Sequence, residues 1–153
     1  MNFGRWLHAA AAVDGKIYVM GGHDSGSSDS VEMYDPQADS WQQVARMPQG
    51  RTSHAAAAMG GKIYVSGGHG YGGGCTATLL AFDPQANTWT ELASMGSARG
   101  YHASAGIGGK LYVFGGFSDG RTASVEAYDP TSNTWAQVSD LTSARDELVA
   151  VAL

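Results

Sequence analysis

Short apolar runs, each cut off by paired glycines or an Asp-Pro step, alternate with polar turns along the whole chain. None of them keeps the 3.6-residue spacing of an amphipathic helix. The stretch His54-Ala-Ala-Ala-Ala-Met-Gly-Gly-Lys-Ile-Tyr-Val-Ser-Gly-Gly68 sets the problem. Alanine is the best intrinsic helix former, yet Gly60-Gly61 follows the alanines almost at once, too soon for a helical period to develop. The pattern predicts strands. Residues 52–59 and 62–66 form a hairpin about the glycine pair, the second strand being β-branched and aromatic. Residues 78–82 stop at Asp83-Pro84, where Asn87 takes a left-handed or Asx-turn position, and residues 88–93 make a fourth strand around Trp89.

The same pattern occurs three times. RWLHAAAAVDGKIYVMGG begins at Arg5, RTSHAAAAMGGKIYVSGG at Arg51 and RGYHASAGIGGKLYVFGG at Arg99. Each continues to an aromatic-Asp-Pro triplet (Tyr34, Phe82 or Tyr128 leading) and then to Trp41, Trp89 or Trp135. The arginines are 46 and then 48 residues apart, as are the glycine pairs, so one insertion accounts for the difference. It falls between the glycine pair and the aromatic, in the segment 69–81. A four-strand unit repeating at this period is the signature of a propeller blade.

The order Arg-x-x-His, small strand, Gly-Lys-Ile/Leu-Tyr-Val-x-Gly-Gly, Val-Glu-x-Tyr-Asp-Pro, Asn-Thr-Trp resembles the kelch repeat. The resemblance runs from Arg5 to the end, with Leu80 departing from the Glu32 and Glu126 of the other copies. It implies an all-β, kelch-type propeller with three four-stranded antiparallel blades: residues 5–50, 51–98 and 99–144 within a single 1–153 unit. Residues 145–153 align with the first strand of a fourth, incomplete repeat. The resemblance also puts the alanine segment innermost and the tryptophan segment outermost. Crowding near a propeller axis favours small side chains there, and composition agrees, running from Ala and Gly through Ile-Tyr-Val to Trp. Rings close with about four to eight blades. Three blades are therefore either part of a longer propeller or half of a six-bladed ring closed by a head-to-tail homodimer.

Composition narrows the function. A net charge of −5 with 15% charged residues leaves no basic stripe for nucleic acid. No apolar run is long enough to cross a bilayer. The single Cys75 excludes an internal disulfide framework and fits a reducing, cytoplasmic setting. No cofactor and no metal site are expected. His8, His54 and His102 recur at one repeat position and could face a common channel, but no carboxylate or thiol is spaced to join them.

A propeller is a scaffold, so function has to come from its loops. The loops after the glycine pairs carry His23, His69, Tyr71, Phe117 and Arg121, and the opposite strand ends that share their face carry Arg5, Arg51, Arg99 and Arg145. Family resemblance makes this the usual ligand face and puts contacting side chains just after each arginine, at Leu7, Ser53, Tyr101 and Glu147. In such proteins the motif arginine is often structural, bonding carbonyls or carboxylates between blades, and that role can coexist with ligand contact. These residues together predict a non-enzymatic protein-interaction module whose arginine-bearing rim suits an acidic partner segment. The competing reading is a carbohydrate-binding or sugar-processing propeller of the sialic-acid-epimerase kind. A galactose-oxidase-like reading of Tyr71 and Cys75 fails for want of spaced copper ligands.

Overall fold

The computed structural model describes residues 4–23, 26 and 28–152. Within these, twelve strands form three separate antiparallel sheets, each a sequential meander of four. Blade 1 contains β1 (Ala9–Val13), β2 (Lys16–Met20), β3 (Val31–Asp35) and β4 (Ser40–Gln43). Blade 2 contains β5 (Ala55–Met59), β6 (Lys62–Ser66), β7 (Leu79–Asp83) and β8 (Thr88–Leu92). Blade 3 contains β9 (Ala103–Ile107), β10 (Lys110–Phe114), β11 (Val125–Asp129) and β12 (Thr134–Val138). No helix long and apolar enough to cross a membrane is present among the described residues.

The alanine strands do lie innermost. β1 adjoins β5 and β5 adjoins β9, so consecutive blades meet along their first strands. The approach is tight: a Cβ on Gly106 of β9 would sit 2.8 Å from the Ala58 carbonyl oxygen of β5. That leaves room for Ala, Ser and Gly and for little else, which overrides the helical preference of alanine. Further out the blades diverge, and larger residues fill the wedge. Ile63, Val65, Leu80 and Phe82 of blade 2 pack on Tyr18, Met20, Val31 and Met33 of blade 1. Leu111, Val113 and Tyr128 of blade 3 pack on Tyr64, Leu79 and Ala81 of blade 2. Aromatic pairs cross both seams, Tyr18 with Phe82 and Tyr64 with Tyr128.

The outer strands are clipped across the seams by side chains. Trp89 Nε1 donates to the Ala45 carbonyl of the preceding blade at 2.9 Å, while Asn87 Oδ1 accepts from Ala45 N–H at 2.9 Å. Trp135 and Asn133 repeat this on Ala93 at 2.7 and 3.0 Å. Asn87 and Asn133 both take the left-handed conformation, as the turn reading anticipated. The Asn-Thr-Trp motif thus does more than end a blade: it bonds both polar groups of one peptide residue in the neighbour.

The glycine pairs also have a second duty. Their φ values are positive, so they turn the chain. They are also where one blade touches the next. A Cβ on Gly67 would lie 2.4 Å from the Arg99 carbonyl and 2.7 Å from the His102 ring of the next blade, while one on Gly68 would lie 2.5 Å from the Thr52 carbonyl of its own. Gly22, Gly68 and Gly116 donate to the carbonyls of Arg51, Arg99 and Arg145 at 2.9, 2.8 and 2.9 Å.

Residues 145–152, where a first strand of a fourth repeat was expected, join no strand ladder. Their entry is nevertheless blade-like: Arg145 N–H donates to the Thr122 carbonyl and Glu147 N–H to the Tyr101 carbonyl, as in the earlier repeats. Ala150, Val151 and Ala152 then border a cavity of ≈ 280 Å³ along the alanine strands.

Candidate functional site

The repeat arginines enter the blades instead of projecting from them. Arg51 and Arg99 are 2% and 1% exposed, and the Arg5 side chain is 1% exposed. Each donates through Nη1 to the carbonyl of the first glycine of its own blade's pair: Gly21 at 3.0 Å, Gly67 at 3.1 Å and Gly115 at 2.8 Å. Arg5 and Arg99 complete the set with Glu32 at 2.8 Å and Glu126 at 2.7 Å. These bonds satisfy carbonyls that the turn takes out of the ladder. The structural role allowed for the arginines is therefore what their surroundings support for Arg5 and Arg99, and they leave the exposed rim. Arg145 differs, being exposed and donating to Ser143 Oγ at 2.6 Å.

The residues two positions further on line one cavity. Leu7, Ser53, Tyr101 and Glu147 all have φ between 54° and 55°, a conformation costly for side chains without special hydrogen-bonding capacity. A backbone chain holds them: Ser53 N–H donates to the Leu7 carbonyl, Tyr101 N–H to Ser53 and Glu147 N–H to Tyr101, at 3.0, 2.8 and 2.8 Å. They border a cavity of ≈ 250 Å³ together with His8, His54, His102 and Leu148. The left-handed conformation is thus repeated in register, and the residue at this position, different in each case, lies on the cavity wall.

Around this arc stand the loops. Short two-residue ladders join Trp6 to His23, Thr52 to His69 and Gly100 to Phe117, so His23, His69 and Phe117 occupy equivalent places. The His23 ring lies against Trp6, and His69 meets Tyr101 edge-on at 5.4 Å. Trp6 and Tyr71 are 60% and 76% exposed, large values for aromatic side chains. Cys75 Sγ lies 3.3 Å from His69 Nε2, and burial raises its pKa above the ordinary thiol value. That is the opposite of what an activated nucleophile needs. Arg121 is exposed and donates through Nε to Asp146 at 2.6 Å. Of the His23–Ser30 loop, Asp24, Ser25 and Ser27 lie outside the described residues.

The histidine ring is not uniform. His8 is exposed, whereas His54 and His102 are 6% and 5% exposed and turn into the blade seams. A Cβ on Gly21 would lie 2.5 Å from the His54 ring, and His102 Nε2 sits 2.9 Å from Ser66 Oγ. Burial, helped by the charges of Arg51 and Arg99 respectively, pushes each pKa down to about 3. Among the described residues no three His, Cys, Asp or Glu side chains come together in a metal-binding group.

Two features escaped the sequence reading. One is the Asn–Trp clip, legible only once Ala45 and Ala93 are known to face it. The other is a paired change between repeats 1 and 2. Gly96 N–H donates to Glu126 Oε2 at 2.6 Å. Where Glu126 of repeat 3 meets Gly96 at the end of repeat 2, Leu80 of repeat 2, which lacks the carboxylate, corresponds to Pro48 at the end of repeat 1, which lacks the N–H. Aligning the connections as well as the strands would have exposed that pair.

Comparison with known proteins agrees with this architecture. Residues 3–145 match the family model described as KLHDC2/KLHL20/DRC7 Kelch-repeats domain. Over 58 residues, 33% of the chain, it is 38% identical to Kelch-like protein 15 of Danio rerio, and over 46 residues, 29% of the chain, 41% identical to Kelch-like protein 6 of Homo sapiens. Kelch-like protein 35 of Mus musculus shares 38% identity over 50 residues, 32% of the chain. These matches span only 10%, 7% and 9% of the relatives' own lengths. With the glycine pairs, the buried arginines and the clipped tryptophans repeated in register through a family match covering most of its length, the chain belongs to the kelch-repeat family.

Proposed function

We propose that this chain is a non-enzymatic protein-interaction module that binds a segment of a partner protein across the mouth formed by Leu7, Ser53, Tyr101 and Glu147. The observation that carries this reading is the hydrogen-bonded arc, where fixed backbone presents side chains that differ from blade to blade. Flanking aromatics supply anchors of the kind protein interfaces favour: Trp6, Tyr71 and Tyr101. A cytoplasmic site of action belongs to the same reading and rests on the single, unbridged Cys75. The test is selection from a displayed peptide library. Peptides should be enriched, and Tyr71→Ala and Tyr101→Ala should each weaken the selected peptides about tenfold by fluorescence polarisation. Thermal stabilisation by saccharides with no peptide enrichment would instead establish the sugar-binding reading.

We further infer that both end faces receive another kelch blade. Ile17 in blade 1 is 40% exposed, whereas its equivalents Ile63 and Leu111 are each 0% exposed against a preceding blade. In repeat register, Trp41 and Asp39 would clip the residue of such a blade that corresponds to Ala45 and Ala93, which in a second copy is Ser139. A continuing chain or a second copy could supply it. Sedimentation of this chain decides between them: twice 15.9 kDa assigns the blade to a head-to-tail copy, and 15.9 kDa removes the homodimer.

A further inference from the structure

Blade 2 buries an arginine without the carboxylate its neighbours provide. Arg51 Nη1 donates to the Gly67 carbonyl and to Thr78 Oγ1 at 3.0 Å, and Leu80, 2% exposed, occupies the position of Glu32 and Glu126. Nε has no partner among the described residues in Arg51, as in Arg5 and Arg99, so the difference between the blades is the missing carboxylate. The compensating charge felt by Arg51 is that of Glu91, an exposed residue opposite Leu80 on β8, which lines a second cavity together with Arg51, Gln49, Thr78 and Leu80 but forms no ion pair with the guanidinium. Burial lowers the Arg51 pKa to about 10, so the side chain stays a cation at neutral pH while lacking a direct counter-ion.

This arginine also borders an opening on the loop face. A cavity of ≈ 230 Å³ is walled by Arg51, Gln49, Gly70, Tyr71 and Thr76, with no acidic residue among its walls. Blade 3 has the equivalent cavity beside Arg99, but there Glu126 already meets the guanidinium and Asp119 stands in the wall. The blade 3 cavity is also larger, ≈ 550 Å³, and holds Arg121, which is paired with Asp146. Among the described residues, the blade 2 cavity holds a buried arginine with no ion-pair partner, whereas the arginines at the blade 3 cavity are both paired.

We propose that the cavity at Arg51, Gln49, Tyr71 and Thr76 is a carboxylate subsite that takes an Asp or Glu side chain of the partner segment. This rests on the partner reading above and narrows the chemistry of that partner to an acidic anchor. Guanidinium is suited to carboxylate, and the amide, phenol and hydroxyl in the wall add donors for its oxygens. Because the fold has already desolvated Arg51, the incoming carboxylate meets a cation that water screens poorly.

The test uses the isotopically labelled chain and blocked glutamate (N-acetyl, C-amide), with blocked glutamine as the neutral match. Blocked glutamate should give saturable NMR shifts at the Arg51 guanidinium and the amides of residues 70–76, and blocked glutamine should not. Leu80→Glu restores an internal carboxylate and should cut the response at least about tenfold. Tyr71→Phe, at an exposed position outside the core, should weaken it while leaving the fold's spectrum intact. Equal responses to the two probes, or a glutamate response undiminished in a folded Leu80→Glu chain, would overturn the subsite. A glutamate response without any peptide selection supports the subsite and overturns the partner reading; peptide selection indifferent to acidic residues does the reverse.

Discussion

Lowering the pH from 6.5 to about 4.5 is expected to remove about 5 kcal/mol of folding stability through two buried histidines, at about 1.4 kcal/mol per pH unit for each. His54 and His102 are held neutral in the fold, with pKa values of about 3 against 6.5 for the free side chain. Above pH 6.5 neither the folded nor the unfolded chain is protonated there, so the full stability is present. Below it the unfolded chain binds two protons that the folded chain refuses, and stability falls until the pH nears 3. Asp35, Asp83 and Asp129 have lowered pKa values too, so their contribution fades only below the ordinary carboxylate range near 3.8, outside this window. Urea unfolding at a series of pH values measures the slope. His102→Gln should remove about half of it and the double variant with His54→Gln nearly all. An unchanged slope in the double variant would show that these histidines are not the source.

Glu126→Leu should cost about 3–5 kcal/mol, because it leaves the buried Arg99 cation and the Gly96 N–H without their acceptor. Repeat 2 carries that same leucine naturally, at Leu80, and tolerates it with Pro48 in place of the N–H donor. Adding Gly96→Pro to Glu126→Leu should therefore recover about 1 kcal/mol by removing an orphaned donor. In the Glu126 background the same proline should destabilise. Urea denaturation of the four chains gives the coupling energy, and simple additivity would mean that Pro48 and Leu80 are unrelated. The opposite replacement, Leu80→Glu, connects stability to function, since it neutralises Arg51 by closing the proposed subsite.

Much of the blade was legible from residue order. The glycine pairs, Asp-Pro turns and Asn87 are local devices, governed by backbone sterics within a few residues, so they mark strand ends wherever they occur. β6 was anticipated over its full extent, and β7 and β8 to within a residue at each end. β5 begins at Ala55, later than the anticipated residue 52, because Ser53 adopts a left-handed conformation that no strand continues through. The arginines illustrate the limit of such reading. Their spacing gave the repeat, but a side chain six or seven bonds long can point outward to a ligand or inward to a carbonyl. Only the position of Gly21, Gly67 and Gly115 decides which.

The sequence by itself determined the repeat, the four strands of each blade, their antiparallel order and the gradient from small to large residues, since all follow from spacing, turn chemistry and side-chain volume along the chain. Tertiary structure alone decided what each repeated residue faces. The blade seams bring Gly67 against His102, Trp89 against Ala45 and Gly96 against Glu126, contacts between residues 30 to 44 positions apart. Whether Arg51 is a matched structural cation or an open anion site turns on such a contact. Repeat periodicity cannot report it, because the meaningful event is one blade's departure from the pattern at a seam that only packing creates.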